Sequence, residues 1–176
     1  MKEKLVHPVW EYSEQCAELL WEWKASGEEI HPGALRRCPC LQNSNLSRRN
    51  WERWLAEEQQ QGQQLFFLLR EDGKLLGAIS IRPQEQGESL RINGHCGYGI
   101  RPSERRKGYA VEMLSMAVKL LQEQGVMPVI VTCDRENVAS EKTIRRCGGV
   151  QVGEIPDPDT GGRNRIFEIS IPKNKE

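Results

Sequence analysis

The sequence predicts an α+β fold, a three-layer arrangement in which a mixed, mostly antiparallel sheet is flanked by helices. Two apolar runs, 65–69 and 75–81, are joined by the turn sequence Glu-Asp-Gly-Lys and predict an antiparallel hairpin. Apolar residues from Ala110 to Leu121 recur at helical spacing, and a short β-branched run at 128–133 follows them. A strand, a helix and a second strand in this order predict a crossover between two parallel central strands.

The N-terminal part of the chain predicts one short strand and two helices. Residues 5–9 favour the strand, and Ser13 is suited to cap a helix that ends at Gly27. Residues 28–45 are polar and contain two prolines, so they predict a loop, or a loop with a short turn. The second helix is expected to carry Trp51 on its apolar face.

The C-terminal part predicts the remaining strands and one more helix. A third strand of the antiparallel meander is expected over residues 91–100, where Pro102 stops it. After the crossover, residues 138–147 predict a helix that a pair of glycines ends. The last two strands are expected over residues 150–155 and 165–171, on either side of a turn rich in Pro, Asp and Gly.

The length and charge of the chain favour one domain over residues 1–176. A chain of 176 residues can bury one continuous core, and its 25 basic and 25 acidic side chains balance. This balance gives no long-range attraction for nucleic acid or an anionic membrane, so neither is expected as a partner. No apolar run resembles a membrane span or the core of a signal peptide, which predicts a soluble, cytoplasmic protein.

The six cysteines are expected to be reduced thiols, because their number and spacing do not resemble a secreted disulfide framework. Cys38 and Cys40 lie near His31, which raises the question of a metal. Their spacing is not a common zinc pattern, and no second pair completes four ligands. We therefore expect no metal site.

A cationic segment precedes the strongest predicted helix. Arg105, Arg106 and Lys107 are followed by Gly108, immediately before the apolar stripe begins. The first amides of a helix lack internal partners and carry the positive end of the helix dipole, so they can hold a phosphate. An isolated basic triplet is more often a solvated turn. Cations at a helix N-terminus oppose its dipole, however, and a bound anion would compensate for them.

This segment resembles the acyl-CoA loop of the GCN5-related N-acetyltransferase (GNAT) superfamily, which reads Arg or Gln, two residues, Gly, one residue, Gly or Ala. Arg105, Gly108 and Ala110 fill this pattern. A second match lies downstream, where Asn137 and Ser140 resemble the superfamily's strand–helix segment. Both matches occur in the expected order and on the expected elements.

The resemblance covers about residues 66–171 and is closest to the ribosomal-protein N-acetyltransferase branch and to predicted acetyltransferases without an assigned substrate. It implies that acyl-CoA lies where two parallel central strands splay apart, with the pyrophosphate on the loop and the pantetheine arm beside the preceding strand. The residues that it assigns to acetyl-CoA are Tyr98, Gly99, Ile100, Arg105, Arg106, Lys107, Gly108, Tyr109, Ala110, Asn137 and Ser140.

Acetyl transfer to an amine needs an oxyanion donor and a route for the amine proton. The resemblance places the oxyanion donor at a backbone amide around Ile100. His95 is the candidate base, since it titrates near neutrality and related enzymes often carry Glu there. Two alternatives stay open: His95 hydrogen-bonds inside the sheet, or a water chain takes the proton. Glu136 and Glu154 are weaker candidates for the base.

The departing thiolate also needs a proton, which the superfamily often supplies from a Tyr seven residues after the Asn. Here that position is Ile144. Ser140 is the nearest substitute by resemblance, and it can equally start the helix as a cap. Cys133 has no adjacent His to activate it and is expected to be a packing residue rather than a nucleophile.

These observations favour an acyl-CoA-dependent N-acetyltransferase that moves the acetyl group of acetyl-CoA to a primary amine by direct attack in a ternary complex. The alternative is a non-catalytic acyl-CoA-binding sensor or interaction module. The acceptor is expected to be a small-molecule amine or a protein N-terminus, and a homodimer is left open. Three acidic residues, Glu22, Glu28 and Glu29, could receive a cationic amine, although such charges usually form a solvated face.

Overall fold

The computed structural model describes residues 3–42 and 46–170. Within this part the chain forms five α-helices and seven β-strands. The helices are α1 (Ser13–Ser26), α2 (Arg48–Gln60), α3 (Gly87–Asn93), α4 (Tyr109–Glu123) and α5 (Val138–Arg146). The strands are β1 (Lys4–Val6), β2 (Gln64–Leu69), β3 (Leu75–Ile81), β4 (Cys96–Ile100), β5 (Val129–Asp134), β6 (Val150–Pro156) and β7 (Arg163–Ile169).

The strands form two antiparallel sheets. One has the order β1-β2-β3-β4 and the other the order β5-β7-β6, so β4 and β5 are edge strands. The two edges meet where the His95 amide donates to the Ile130 carbonyl, at 2.7 Å. The Ile130 amide donates to the His95 side chain rather than to a backbone carbonyl, and no β4–β5 ladder is recorded in the described residues. The two central strands therefore separate as the predicted splay requires, and the sheets are joined by these bonds at the start of β4 and by a shared core.

Helices cover both faces of the first sheet, as the predicted three-layer fold requires. One core packs α4 and α5 against β3, β4, β5 and β7, and it contains Met113, Ile144 and Phe167. The other packs α1, α2 and the segment between them against β2 and β3, and it contains Trp23 and Trp51. Because strand residues alternate between faces, β3 supplies side chains to both cores. The predicted fold class is confirmed.

The predicted strand over 91–100 is wrong in its first half, where the chain forms helix α3 and only β4 is extended. Gly94, at φ 67°, ends the helix. The last carbonyls of a helix need donors from outside it. Here the Arg82 side chain donates to the carbonyls of Asn93 and Gly94, and Thr132 Oγ1 donates to that of Ile92. These partners are distant in sequence.

The segment between α1 and α2 matches the predicted loop with short turns, which are the 3₁₀ turns Gly33–Arg37 and Pro39–Leu41. Two of the predicted boundaries, Asn45 and Ile171, lie outside the described residues. None of the described helices is both long enough and apolar enough to cross a bilayer.

Candidate active site

The turn that follows β4 is fixed to α1 by one carboxylate. Arg101 is 8% exposed, and its Nε donates to Glu22 at 2.9 Å while Nη1 donates to the Leu75 carbonyl at 3.2 Å. Glu22 also accepts a hydrogen bond from the Ser103 amide. Burial opposes ionisation of Glu22, but the bonds from Ser103 and Arg101 leave its pKa below the ordinary value. Glu22 thus holds the chain just before the cationic segment.

A second carboxylate lies beneath the cationic segment. Glu104 is 4% exposed and accepts a hydrogen bond from Lys107 Nζ at 2.8 Å. Lys74 also donates to it, and Arg70 Nη1 lies 3.5 Å away. The bonds from Lys107 and Lys74 lower the pKa of Glu104 to about 2. Lys107 therefore anchors the segment through its side chain.

The backbone from Arg106 to Ala110 forms a turn that leads into the first residues of α4. Arg106 has φ 61° and Gly108 has φ 88°, so two residues of this short turn are left-handed. Such turns direct successive N–H groups to one side and bind anions. In the described part of the chain, no acceptor is recorded for the amides of residues 108–110, whereas the Lys107 amide closes the turn at residues 105–106. A Cβ on Gly108 would meet nothing within 4 Å, so the space beside these amides is open.

The side chain of Arg105 is directed away from these amides and towards α1. Its Nε donates to the Ile100 carbonyl at 3.0 Å, and Nη1 pairs with Glu28. The guanidinium lies 5.2 Å from the ring centroid of Trp23, within range of a cation–π contact. Arg105 therefore fastens the start of the segment, and of the predicted basic triplet only Arg106 is exposed with no recorded ion pair in the described residues.

The outer edge of β4 provides the backbone groups that were predicted beside the cofactor arm. The Arg101 amide donates across to Leu76 in β3, at 2.8 Å. Because hydrogen-bonding direction alternates along a strand, the amides of Tyr98 and Ile100 point to the opposite edge. That edge faces β5 without a recorded ladder. The cleft between the two sheets is therefore lined by unpaired backbone of β4, and Gly99 lies between these two residues.

The side chain of Tyr98 reaches the first turn of α5. Its hydroxyl lies 2.9 Å from Ser140 Oγ, and burial raises the pKa of Tyr98, so the phenol stays protonated. The Asn137 side chain accepts from the Ser140 amide at 3.0 Å and caps the helix. The cap of α5 is thus Asn137, and the hydroxyl of Ser140 is bound to Tyr98 instead. The sequence analysis did not foresee this hydroxyl pair.

His95 is 5% exposed, and both its backbone amide and its side chain bond to Ile130. Its Nδ1 accepts from the Ile130 amide at 2.8 Å, which fixes the remaining proton of the neutral ring on Nε2. Burial, followed by the charge of Arg82, lowers the pKa of His95. The lone pair that a general base needs is already engaged, so the geometry favours the alternative in which His95 hydrogen-bonds within the fold.

The lowered pKa of His95 predicts that the free energy of unfolding depends on pH. Its folded pKa lies below the unfolded value of about 6.5, so its contribution is full above about pH 6.5 and is lost as pH falls towards the folded value. His95→Ala leaves the Ile130 amide unpaired, and we expect a loss of about 1–3 kcal/mol in the free energy of unfolding at pH 8. His95→Asn keeps an acceptor near the position of Nδ1 and does not titrate, so we expect a smaller loss.

Urea unfolding of the three proteins between pH 5 and 8 measures both effects. The stability of the wild type should fall more steeply below pH 6.5 than that of His95→Asn. Comparing the two variants with the wild type removes the contribution of His31, whose pKa burial also lowers. If His95→Asn instead keeps its stability and loses acetyl transfer, His95 is the base.

The family follows from a sequence comparison. The profile described as the acetyltransferase (GNAT) domain matches residues 14–150, which is more than half of the chain. The chain belongs to this family. The suspected GNAT resemblance is confirmed, and acetyl-CoA is the co-substrate that goes with the family. No curated protein matches the chain in sequence.

Solved GNAT structures share the fold at low sequence identity. The microcin C7 self-immunity acetyltransferase MccE, in complex with acetyl-CoA and AMP, has a TM-score of 0.70 at 18% identity, covering 97% of this chain and 93% of that one. RimL, the ribosomal L7/L12 α-N-protein acetyltransferase in complex with coenzyme A, has a TM-score of 0.68 at 13% identity, covering 96% of this chain and 93% of that one. The ribosomal-protein-S5-alanine acetyltransferase from Vibrio fischeri has a TM-score of 0.65 at 12% identity, covering 94% of this chain and 90% of that one.

Two residues near the GNAT cleft are unsuited to chemistry. Ile144, at the position of the superfamily's frequent Tyr, is fully buried in the core beneath α4. Burial raises the pKa of Cys133 to about 11, so this thiol is not ionised at neutral pH. Cys133 fits the predicted packing role, and the departing thiolate has no phenol at position 144 to protonate it.

The three acidic residues considered for a cationic acceptor are engaged in ion pairs. Glu22 pairs with Arg101, Glu28 with Arg105, and Glu29 with Arg36. Glu28 and Glu29 are thus exposed, ion-paired residues, as a solvated face predicts, whereas the partly buried Glu22 is held by Arg101.

The cysteines near the GNAT N-terminal helices form a cluster that differs from the one considered in the sequence. Cys38 and Cys40 lie with Cys16 rather than His31, and the three sulfur atoms are within 4.8 Å of one another. All three are buried, and hydrogen bonds with Cys38 and Cys40, together with burial, raise the pKa of Cys16. A structural zinc site takes four ligands. The cluster contains three such side chains among the described residues.

A separate groove of about 820 Å³ lies at the other end of the first sheet. It is lined by Trp10, Leu55 and Phe66 and reaches Gln124, at the end of α4 opposite the amides of residues 108–110. None of the predicted site residues lines it. The candidate active site is therefore the cleft beside β4 and not this groove.

Proposed function

We propose that the chain is a cytoplasmic N-acetyltransferase, one domain over residues 1–176, that transfers the acetyl group of acetyl-CoA to a primary amine by direct attack in a ternary complex. The observation that carries the proposal is the row of amides at the start of α4, where those of residues 108–110 have no recorded acceptor in the described residues. These N–H groups and the helix dipole suit the pyrophosphate of acetyl-CoA.

The edge of β4 positions the acyl thioester. The outward amides of Tyr98 and Ile100 are suited to pair with the amide groups of the pantetheine arm, as a neighbouring strand would. An amide of this edge, near Ile100, is also suited to donate to the carbonyl oxygen as it becomes an oxyanion. The donor is held rigidly because Ile100 is fixed on both sides, by pairing with Gly77 and by the bond from Arg105 to its carbonyl.

The amine attacks as the neutral base and must lose a proton once the C–N bond forms. Because Nδ1 of His95 is engaged by the Ile130 amide, we assign this proton to water rather than to a side chain. The C–S bond then breaks and leaves a thiolate. We assign its protonation to Ser140, whose hydroxyl proton is replaced from the adjacent phenol of Tyr98, and the phenol regains its proton from the water that accepted the amine proton.

The alternative is an acyl-CoA-binding module without turnover, and the burial of Ile144 where the superfamily often has its acid favours it. The two functions share the cleft and differ only in chemistry. Binding of acetyl-CoA therefore cannot distinguish them.

The decisive experiment follows release of the coenzyme A thiol while the protein is incubated with acetyl-CoA and a panel of amines. The panel includes amino acids, polyamines, aminoglycosides and peptides with free N-termini, and mass spectrometry detects the acetylated product. A Gly108→Asp variant controls for thiol release outside the site. If acetyl-CoA binds but no amine accelerates thiol release above that of water, the chain is a binding module.

A further inference from the structure

The face of β4 that is directed towards α1 has no β4 side chains. Gly97 and Gly99 alternate along the strand and share this face, and their partners in β3 are the small residues Ser80 and Ala78. At Gly99 the backbone is covered, because a Cβ there would overlap Cη2 of Trp23. At Gly97 the nearest atoms to such a Cβ are 3.7 Å or more away. This face thus leaves room beside the middle of β4, two residues from Gly99.

A guanidinium borders that room. Nη1 and Nη2 of Arg82 lie 3.9 and 4.0 Å from the position of a Cβ on Gly97. The other edge of the same group is occupied, since Nε donates to the Gly94 carbonyl at 3.2 Å and Nη2 to the Asn93 carbonyl at 2.7 Å. Of its five N–H donors, the two on Nη1 and one on Nη2 remain. The edge of the guanidinium with unoccupied donors is the one that faces Gly97.

Arg82 lacks the carboxylate partner that comparable arginines have. Among the described residues, five arginines are not exposed, namely Arg70, Arg82, Arg101, Arg105 and Arg165. Four of them lie within 4 Å of a carboxylate, and Arg82 does not. Burial lowers the pKa of Arg82, while the more distant Glu85 acts in the opposite direction. The group nevertheless stays charged, because a guanidinium does not lose its proton in proteins.

A second donor on this face also lacks a partner. Trp23 is 2% exposed, and its Nε1 has no hydrogen-bond acceptor among residues 3–42 and 46–170. Nε1 is two bonds from Cζ2, the ring atom that also lies against Gly99. A buried indole N–H normally finds an acceptor. Two unsatisfied donors, one of them a cation, therefore lie along one face of β4, and both are suited to an anion.

We propose that Arg82 binds an anionic group, a carboxylate or a phosphate, on the amine that accepts the acetyl group. This inference rests on the proposed function, since it names the acceptor of that same cleft. The free edge of the guanidinium pairs with two oxygens of one anion in parallel, a geometry that Arg provides and Lys does not. A polyamine brings only positive charge to this face and is a poor acceptor.

Matched pairs of amines test the proposal. L-α-Amino acids are compared with the corresponding amino alcohols, and phosphoethanolamine with ethanolamine, so that each pair differs in its anionic group. We expect kcat/KM for the preferred anionic amine to exceed that for its neutral partner by at least about 10-fold. Arg82→Gln should lower kcat/KM for the anionic amine about 10- to 100-fold, leaving the neutral amine and the KM for acetyl-CoA nearly unchanged. Comparing kcat/KM for amino acids with that for phosphoethanolamine shows whether the site prefers a carboxylate or a phosphate.

Two further variants distinguish a loss of anion binding from a loss of folding. Arg82 also holds the end of α3, so Arg82→Gln is compared with Arg91→Gln, the same substitution at an exposed arginine of α3. Gly97→Ala adds a methyl group with ordinary contacts to Pro32 and Arg82, which the fold accommodates. That methyl group fills the space beside the guanidinium. It should therefore lower turnover of the anionic amine with no change in Tm.

A binding measurement tests the anion site independently of acetyl transfer. N-Acetyl amino acids and their uncharged amides are titrated into the coenzyme A complex of the wild type and of Arg82→Gln. If no amine is acetylated, yet the wild type binds the acids at least about 10-fold more tightly than the amides and Arg82→Gln does not, the anion site stands and the proposed function fails. Equal use of anionic and neutral amines, or an equal loss for both in Arg82→Gln, overturns the anion site.

Discussion

Acetyl-CoA binding is expected to fall by two to three powers of ten in a Gly108→Asp variant. The carboxylate lies beside the amide row of residues 108–110, where the pyrophosphate is expected. Two unit charges of like sign about 4 Å apart repel by about 4 kcal/mol at an effective dielectric constant of 20. Since about 1.4 kcal/mol corresponds to a factor of ten, this repulsion alone accounts for the loss. Calorimetric titration of acetyl-CoA measures it.

The matched control is Gly108→Asn, which has the same shape without the charge. Gly108 has φ 88°, and Asn tolerates the left-handed region better than other residues with a Cβ. A Cβ at Gly108 meets nothing within 4 Å, so neither variant is expected to clash with the fold. We expect Asn to weaken binding less than 10-fold, and the difference between the variants to shrink at high salt. Equal affinity of Asp and Asn for acetyl-CoA would contradict the assignment of the phosphate loop.

The proposed phosphate loop could be inferred from sequence because the residues that define it are local. Arg105, Gly108 and Ala110 occupy one short segment at a helix N-terminus, and the positive φ of Gly108 is a property that glycine provides best. The apolar stripe of α4 likewise lies within one segment, and only its first residue differs from the prediction. Patterns of this kind need no knowledge of what packs against them.

The rest of the site depends on partners that are far apart in sequence. The last residues of α3 were read as the start of a strand because a short apolar pattern is ambiguous, and this end of the helix is stabilised by Arg82 and by Thr132 from another sheet. Glu104 could have been suspected, since it stands beside three cations in the sequence, but its bond to Lys74 spans 30 residues. The roles of His95 and Ser140 were left open for the same reason, because each depends on a neighbour across the cleft.

Ser140→Ala is expected to lower kcat about 10- to 1000-fold and to leave the Kd for acetyl-CoA nearly unchanged. This range spans a weak polar contact and a well-placed donor to developing charge. The helix should not lose its cap, because Asn137 and not Ser140 provides it. Tm is therefore expected to change little. Ser115→Ala is the matched control, since Ser115 is a half-buried serine whose hydroxyl contacts Cys147 within the fold.

Tyr98→Phe tests whether the phenol behind Ser140 takes part. If Tyr98 returns a proton to Ser140 through their 2.9 Å contact, each single variant interrupts the same route, and the double variant should be little slower than Ser140→Ala. Independent roles would instead multiply the two losses in kcat. Installing a Tyr at position 144 is not a useful rescue, because Ile144 is fully buried and a larger polar side chain there would disrupt the core. Should Ser140→Ala lower Tm and leave kcat intact, the hydroxyl pair only joins β4 to α5, and the thiolate is protonated by water.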